Sequence, residues 1–333
     1  MGLSVIVIGR NSERTLPECI SSLCSFAKQY PEINIELLYV DSASSDSSVE
    51  VVKRALVGSI ISFKIISIKS INQSAALGRC IGMKVASYSD ILFVDSDMVV
   101  DLAWLAQALA RRDYRIISGQ RYEVYFDNNI CWIADKKYYK SSDLGRVSRP
   151  GGLFLLFDAD KTTARFTPFL RSEEEADFVA QDPHLNDSIY RTPEVAFVHL
   201  NRKPTTILKR LYGNLRGMSA MSNYICGRIN AINRGFYIHL LKSSYFYEIG
   251  AVCSLMFYCG LFLSNWFLIA GAALLVASSK RKMSILYRCM VFPLELILGV
   301  GHYVYNKSKY NISYSIVYSS VKTIKTYYPL QNL

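Results

Sequence analysis

Through the first two hundred residues, short apolar runs alternate with stretches whose apolar positions recur at three and four. Ser4-Val5-Ile6-Val7-Ile8 predicts a first strand, and Leu16, Ile20, Leu23 and Phe26 give helical spacing from Glu13 to Lys28. Ile35 to Val40 predicts a second strand, and the Asp- and Ser-rich stretch 41–48 a loop that caps the next helix. Phe63 to Ile68 predicts a third strand, Ser74 to Ser87 a helix, Ile91 to Val94 a fourth strand and Leu102 to Arg111 a helix, before Ile116-Ile117 opens a fifth strand. This βαβα order predicts an α/β fold with a mostly parallel sheet and helices on both faces. Ligands of such sheets bind at the carboxyl ends of the strands, where Asp41, Asp95 and Asp97 all stand.

After residue 200 the pattern changes. Over 205–241, Leu208, Leu211, Leu215, Met218, Met221 and Ile225 recur at three and four, while Lys209, Arg210, Arg216, Arg228 and Arg234 take other faces. That is a basic amphipathic stretch suited to lying in a membrane interface. Residues 249–279 contain no charge; as one helix they would reach about 46 Å at ~1.5 Å per residue, against a bilayer core of ~30 Å. One tilted span fits and two full spans do not. A weaker run, 289–306, is broken by Pro293, Glu295, Gly299 and Gly301. The chain therefore divides into an α/β body at 1–204, interfacial helices at 205–248, membrane-embedded helices at 249–306 and a basic, Tyr-rich tail at 307–333.

Charge sharpens that division. Residues 1–200 carry 22 basic and 25 acidic side chains; residues 201–333 carry 16 and 2, with 14 of the 23 tyrosines. A basic half seeks an anionic surface. Because this half is also apolar, and pairs tyrosine with lysine and arginine, it points to an anionic membrane and away from nucleic acid. Basic residues flank every boundary, including Lys280-Arg281-Lys282, so a hairpin that re-enters keeps all clusters on one side, whereas two simple spans would not. Eight cysteines without a C-x-x-C pair argue against a zinc site or a disulfide framework. Without G-x-G-x-x-G or a P-loop, dinucleotide and Walker-type readings lose support.

Asp95 and Asp97 follow a buried strand at a spacing that turns both carboxylates toward one cleft. Oxygen ligands of this kind suit a hard cation, Mg²⁺ or Mn²⁺, which in turn binds a pyrophosphate; a D-x-D pair alone also fits a helix cap. Asp41 has two readings, an acceptor for a nucleobase or ribose and a turn former.

Taken in order, these motifs resemble those of family 2 glycosyltransferases with the GT-A fold. Val5 to Pro17 stands where the family has its opening strand and turn, and Val40-Asp41-Ser42-Ala43-Ser44-Ser45-Asp46 resembles its Asp-rich nucleotide loop. Ala75-Ala76-Leu77-Gly78-Arg79-Cys80-Ile81-Gly82 is similar to a stretch that usually reads Ala-Ala-Arg-Asn-x-Gly, and Phe93-Val94-Asp95-Ser96-Asp97 to the D-x-D element. Ile8, Arg10 and Cys80 depart from the usual residues. The resemblance implies that Gly9, Asn11, Glu13, Asp41, Arg79 and Asp95 surround the nucleotide, and that Asp97, with Asp95 and His199, holds the metal. It implies a catalytic base within Glu173-Glu174-Glu175-Ala176-Asp177, with Glu175 first, then Glu174 and Asp177, and an acceptor loop at Gly151-Gly152. Adjacent acids repel, which raises the pKa of at least one.

The implied activity is inverting transfer of a sugar from a nucleotide-sugar donor to a polyprenyl-diphosphate-linked saccharide, as in bacterial polysaccharide-assembly transferases of the succinoglycan type. The implied location is the cytoplasmic membrane, with the catalytic domain on its cytoplasmic face. A polyprenyl-phosphate sugar synthase is the alternative enzyme, and a catalytically silent membrane scaffold the alternative of another class.

Overall fold

The computed structural model describes residues 1–69, 73–127, 130–133, 139–170, 174–202, 313–319 and 327–329, with single positions between 266 and 305. By compactness the chain divides into one unit of Met1–Thr205 and Lys309–Leu333 and another of Thr206–Ser308. The stretches 205–248 and 249–306, read from sequence as interfacial and membrane-embedded, lie outside the described residues apart from those single positions. Among the described residues no helix is long and apolar enough to cross a membrane.

The first half of the first unit forms as its periodicity predicts. Strands β1 (Gly2–Gly9), β2 (Asn34–Asp41), β3 (Ser62–Ile68) and β4 (Ile91–Asp95) pair in parallel in the order β3-β2-β1-β4. The register sets Gly9 opposite Asp41 and Ile8 opposite Asp95, so the functional ends of three strands are level. Alternation along β1 decides what packs where. Leu3, Val5 and Val7 share a core with helices α1 (Leu16–Gln29), α2 (Ser48–Leu56) and α4 (Leu102–Ala110). Ile6 and Ile8 face α3 (Ala75–Val85) on the opposite side.

Helix α3 lies close against the sheet because two glycines one turn apart face it. A Cβ at Gly78 would sit 2.9 Å from Ile8 Cγ2, and one at Gly82 only 2.4 Å from Ile6 Cγ2. Arg79, between them in sequence, is thereby carried into the interior.

The second half corrects the expectation of a mostly parallel sheet. It contains β5 (Met98–Val100), β6 (Ile116–Asp127), β7 (Ile130–Ile133), β8 (Gly145–Arg146), β9 (Phe154–Leu156), α5 (Glu174–Ala180), α6 (Pro183–Asn186) and β10 (Ile189–Arg202). Here β9 runs antiparallel to both β4 and β6, and β10 antiparallel to β5 and β8, while β10 and β6 are parallel. A parallel neighbour needs a crossover of a dozen or more residues, usually a helix. Between Ala110 and Glu174 the described chain supplies only short 3₁₀ turns, so its strands add by reversal.

Strand β11 (Ser313–Ser319), inside the stretch read as a tail, lies antiparallel to β3 and is followed outward by β12 (Tyr327–Pro329). Tyr318 stacks on Phe63 with ring centroids 5.3 Å apart, and Lys53 Nζ stands 5.1 Å over the Tyr318 ring.

Candidate active site

Two loops at the carboxyl ends of β1 and β2 brace one another. Asn11, in a left-handed conformation (φ 51°), donates its backbone N–H to Ser44 Oγ (2.9 Å) and accepts from Ser45 N at Oδ1 (2.8 Å). Glu13 Oε2 accepts from Ser47 N (3.0 Å), while Glu13 N donates to Asp46 Oδ2 (3.2 Å). Asp41 is 2% exposed, and its carboxylate accepts from Ser44 N (3.0 Å), Ser44 Oγ (2.5 Å) and Tyr39 Oη (3.3 Å). Asn11, Glu13 and Asp41, read from the sequence as surrounding a nucleotide, thus fall together, and the contacts of their side chains hold the loops in shape. The cleft beside them is about 340 Å³, with Gly9, Arg10, Ser42, Ser74, Asp95 and Asp97 in its wall.

Arg79 links that cleft to a second one. Its side chain is 2% exposed. One terminal nitrogen donates to Asp95 Oδ1 at 2.9 Å; the other donates to Glu174 Oε1 at 2.9 Å and lies 3.2 Å from Glu175 Oε1. The guanidinium carbon stands 5.8 Å from the Phe166 ring centroid, and Phe166 stacks on Phe178 of α5 at 4.5 Å. A buried cation is tolerable only when paired, and here it has three carboxylates. Burial disfavours its charge, but Asp95, Glu175 and Glu174 outweigh that and raise its pKa.

Three carboxylates around one guanidinium leave negative charge in excess. Burial and the neighbouring Glu174 push the Glu175 carboxyl up to about 8, against the pull of Arg79. Asp95 is raised to about 6 by burial, with Arg79 lowering it and Asp97 and Glu174 raising it. Glu175 belongs to the wall of the second cleft, about 600 Å³, with Gly151 and Gly152. A Cβ at Gly152 would meet Asp95 Oδ2 at 3.2 Å, so at this point the two clefts are separated by little more than a backbone. Asp177 lies in neither wall. It is buried and accepts from Thr167 Oγ1 (2.5 Å) and Gln181 Nε2 (3.0 Å), tying α5 to the preceding loop. Glu173 lies outside the described residues.

His199 of β10 reaches the same end of the sheet through pairing with β5, and Leu200 N donates to Asp97 O at 2.7 Å. Its Nε2 is 3.3 Å from Asp97 Oδ2 and its Nδ1 3.1 Å from Glu123 Oε2. Burial lowers its pKa, but the hydrogen bond and charge of Asp97, with Glu123, raise it overall. Asp97 Oδ1 is a buried atom with no hydrogen-bond partner among the described residues.

Among the described residues no three His, Cys, Asp or Glu side chains are grouped so as to hold a metal ion by themselves. Mg²⁺-type sites commonly use one or two carboxylates and complete the shell with substrate phosphates and water. The orphaned Asp97 oxygen beside a histidine fits such a site. Asp95, held by Arg79, stands next to it.

Sequence reasoning missed Glu123, which orients His199, and the arginines of the second cleft, Arg121, Arg146, Arg149 and Arg191. No local motif joins them; β6, β8, β10 and the loop after β8 bring them together. The only signal was Arg146 and Arg149 just before Gly151-Gly152.

Residues 4–165 match the sequence profile described as Glycosyl transferase family 2. No curated protein sequence matches the chain. Many solved structures resemble it, and two of them show the extent of the likeness. One is residues 1–349 of TarS from S. aureus in complex with UDP-GlcNAc, at 16% identity over 98% of this chain and 99% of that one, with a TM-score of 0.51. The other is the mannosyltransferase PcManGT from Pyrobaculum calidifontis in complex with GDP-Man and Mn²⁺, at 16% identity over 92% and 87%, with a TM-score of 0.56. At such identities the likeness concerns the fold, a GT-A α/β core, while the similarity to glycosyl transferase family 2 covers residues 4–165, just under half of the chain.

Proposed function

We propose that the protein is a metal-dependent inverting glycosyltransferase that takes its sugar from a nucleotide-sugar donor. The observation that carries this reading is Arg79, whose guanidinium touches Asp95 of one cleft and Glu175 of the other. Two reactants held in adjoining clefts, with a carboxylate on the acceptor side, are what an in-line displacement requires. The acceptor hydroxyl gives its proton to Glu175 as its oxygen bonds the anomeric carbon. The bond from that carbon to the diphosphate breaks, and the electron pair leaves with the nucleoside diphosphate. Asp97 and His199 would hold Mg²⁺ or Mn²⁺, which neutralises charge on the leaving diphosphate. Glu123 keeps His199 in position, and Arg79 sets the orientation of both carboxylates.

The acceptor in this reading is a lipid-linked saccharide, met at the cytoplasmic face of an anionic membrane. Its support is the charge asymmetry and the uncharged run 249–279. Topology adds a constraint. The chain leaves the sheet at the end of β10 and rejoins it at β11, so any path of the intervening residues into a bilayer must return to the side it left. A re-entrant hairpin or an even number of crossings meets this condition, and a single span does not.

The test is nucleoside diphosphate release by purified full-length protein from a panel of UDP-, GDP- and TDP-sugars with Mn²⁺. UDP-GlcNAc and GDP-Man come first, because TarS and PcManGT were solved with them. Manganese-dependent release from one donor supports the reading, and no binding or release with any donor overturns it.

A further inference from the structure

Resting on the reading of the second cleft as the acceptor side, we propose that this cleft recognises a phosphate or diphosphate group, so that the acceptor is a phosphorylated molecule. Four arginines, Arg121, Arg146, Arg149 and Arg191, lie in its wall with two acids, Asp143 and Glu175, and Arg121 is ion-paired with Glu123 (Nε to Oε1, 2.8 Å). Asp143 already accepts from Lys140 N through Oδ2 at 3.2 Å, and Glu175 faces Arg79. The arginines are close enough to oppose one another: burial first, then Arg149 and Arg121, lower the pKa of Arg191 against the pull of Tyr139 and Asp143.

Arg191 is fixed in place. It is 6% exposed, its terminal nitrogens donate to Asp143 O (3.0 Å) and Arg149 O (3.1 Å), and its guanidinium lies 3.8 Å from the Tyr139 ring centroid. Its Nε is buried without a hydrogen-bond partner among the described residues. Tyr139 is itself held at both backbone groups by Gln120, at 2.8 and 2.7 Å. Its hydroxyl lies against Gly151, where a Cβ would come within 2.6 Å. A rigid, partly dehydrated cluster of like charges is unfavourable by itself and becomes favourable around an anion.

Charge selects the anion. With Glu175 protonated at neutral pH and Arg121 paired to Glu123, the remaining Arg146, Arg149 and Arg191 face one acid, Asp143, an excess of two positive charges. A phosphomonoester carries about −1.5 to −2 at neutral pH, whereas one carboxylate leaves a positive excess. Guanidinium forks also match phosphate oxygens in pairs. None of these arginines is in the wall of the Asp95–Asp97 cleft, so the cluster belongs to the cleft that holds Glu175.

The experiment is isothermal titration of the full-length protein with inorganic pyrophosphate in metal-free buffer containing EDTA. The wild type should bind. The exposed pair Arg146→Gln and Arg149→Gln together should weaken binding at least tenfold, whereas Asp97→Ala should leave it unchanged or tighten it. Loss of pyrophosphate binding in Asp97→Ala, no effect of the arginine variant, or no metal-free binding by the wild type would overturn the proposal. So would preferential binding of glucuronate. Nucleotide titration with Mn²⁺, run in parallel, reports the glycosyltransferase reading separately: a protein that binds pyrophosphate through these arginines but no nucleotide keeps the phosphate site and loses that reading. A prenyl diphosphate of short chain distinguishes sources. Binding tenfold tighter than pyrophosphate supports a lipid-borne phosphate, and equal binding supports a soluble one.

Discussion

Arg79 and Glu175 set the behaviour of the site at the scale of single residues. A base must be ionised to accept a proton, and Glu175 is held protonated up to about pH 8 by burial and by Glu174. Turnover in the wild type is therefore expected to rise with pH toward about 8, and a profile already flat at pH 6 would contradict the assignment. The same shift has a consequence for stability with its own sign. The folded pKa lies above the ordinary value of 4.5, so this contribution is complete below 4.5 and is lost as pH rises toward about 8. Glu175→Gln removes it, so unfolding free energies should fall less steeply over that window in the variant than in the wild type. Denaturant melts at half-unit pH steps measure this. Arg79 offers a harsher test. Arg79→Met leaves buried Glu174 and the half-buried Asp95 and Glu175 without their cation, and breaking a buried ion pair costs on the order of 3–5 kcal/mol. Thermal unfolding should show a large loss for Arg79→Met. If Arg79→Met melts like the wild type, the buried cluster is not the anchor described.

Among the elements, α3 is the most constrained. Gly82→Ala gains up to about 1 kcal/mol of helix propensity, but its new Cβ would stand 2.4 Å from Ile6 Cγ2. Overpacking of that kind costs roughly 1–3 kcal/mol, so the clash outweighs the propensity. The variant should melt several degrees lower, and a rise in melting temperature would show that α3 is free to move off the sheet. Legibility of the fold follows the same elements. From β1 to α4 each strand and helix except β5 was visible in the sequence, because the central strands are apolar runs buried on both faces and the helices repeat at three and four. Most of these predicted elements end within about two residues of the observed ones. Beyond Ala110 that signal fails. Strands β8 and β9 are two and three residues long, too short to show a period, and their antiparallel pairing is set by partners distant in sequence. Strand β11 alternates little, and it is made a strand by the open edge of β3. At the site, Asp95, Asp97 and Glu175, read from compact motifs, line the two clefts, whereas Asp41, read the same way, braces the loop beside them. The arginines of the second cleft come from different strands and loops, with no spacing to read.

At the scale of the molecule, β11 ties the C-terminal part of the chain to the catalytic sheet. Unpaired edge strands invite association with other chains. Deleting residues 313–333 uncovers β3, and light scattering should then show self-association that the full chain lacks; a monodisperse truncated protein would mean that this edge is protected otherwise. The positive charge of residues 201–333 predicts attraction to anionic vesicles that weakens with salt. If the apolar runs also enter the bilayer, full-length protein resists extraction by high salt and carbonate, whereas release by salt alone would leave only surface attachment. The central claim is a division of labour between two clefts joined by Arg79, the donor held at Asp97 and the proton taken at Glu175. The measurement that tests it most directly is the crossed comparison of Asp97→Ala and Glu175→Gln, reading Mn²⁺-dependent nucleotide affinity and turnover in both. The account predicts that Asp97→Ala loses both, and that Glu175→Gln binds nucleotide like the wild type while its kcat falls by about 10²–10⁴-fold. Wild-type turnover in Glu175→Gln, or wild-type nucleotide affinity in Asp97→Ala, would contradict it.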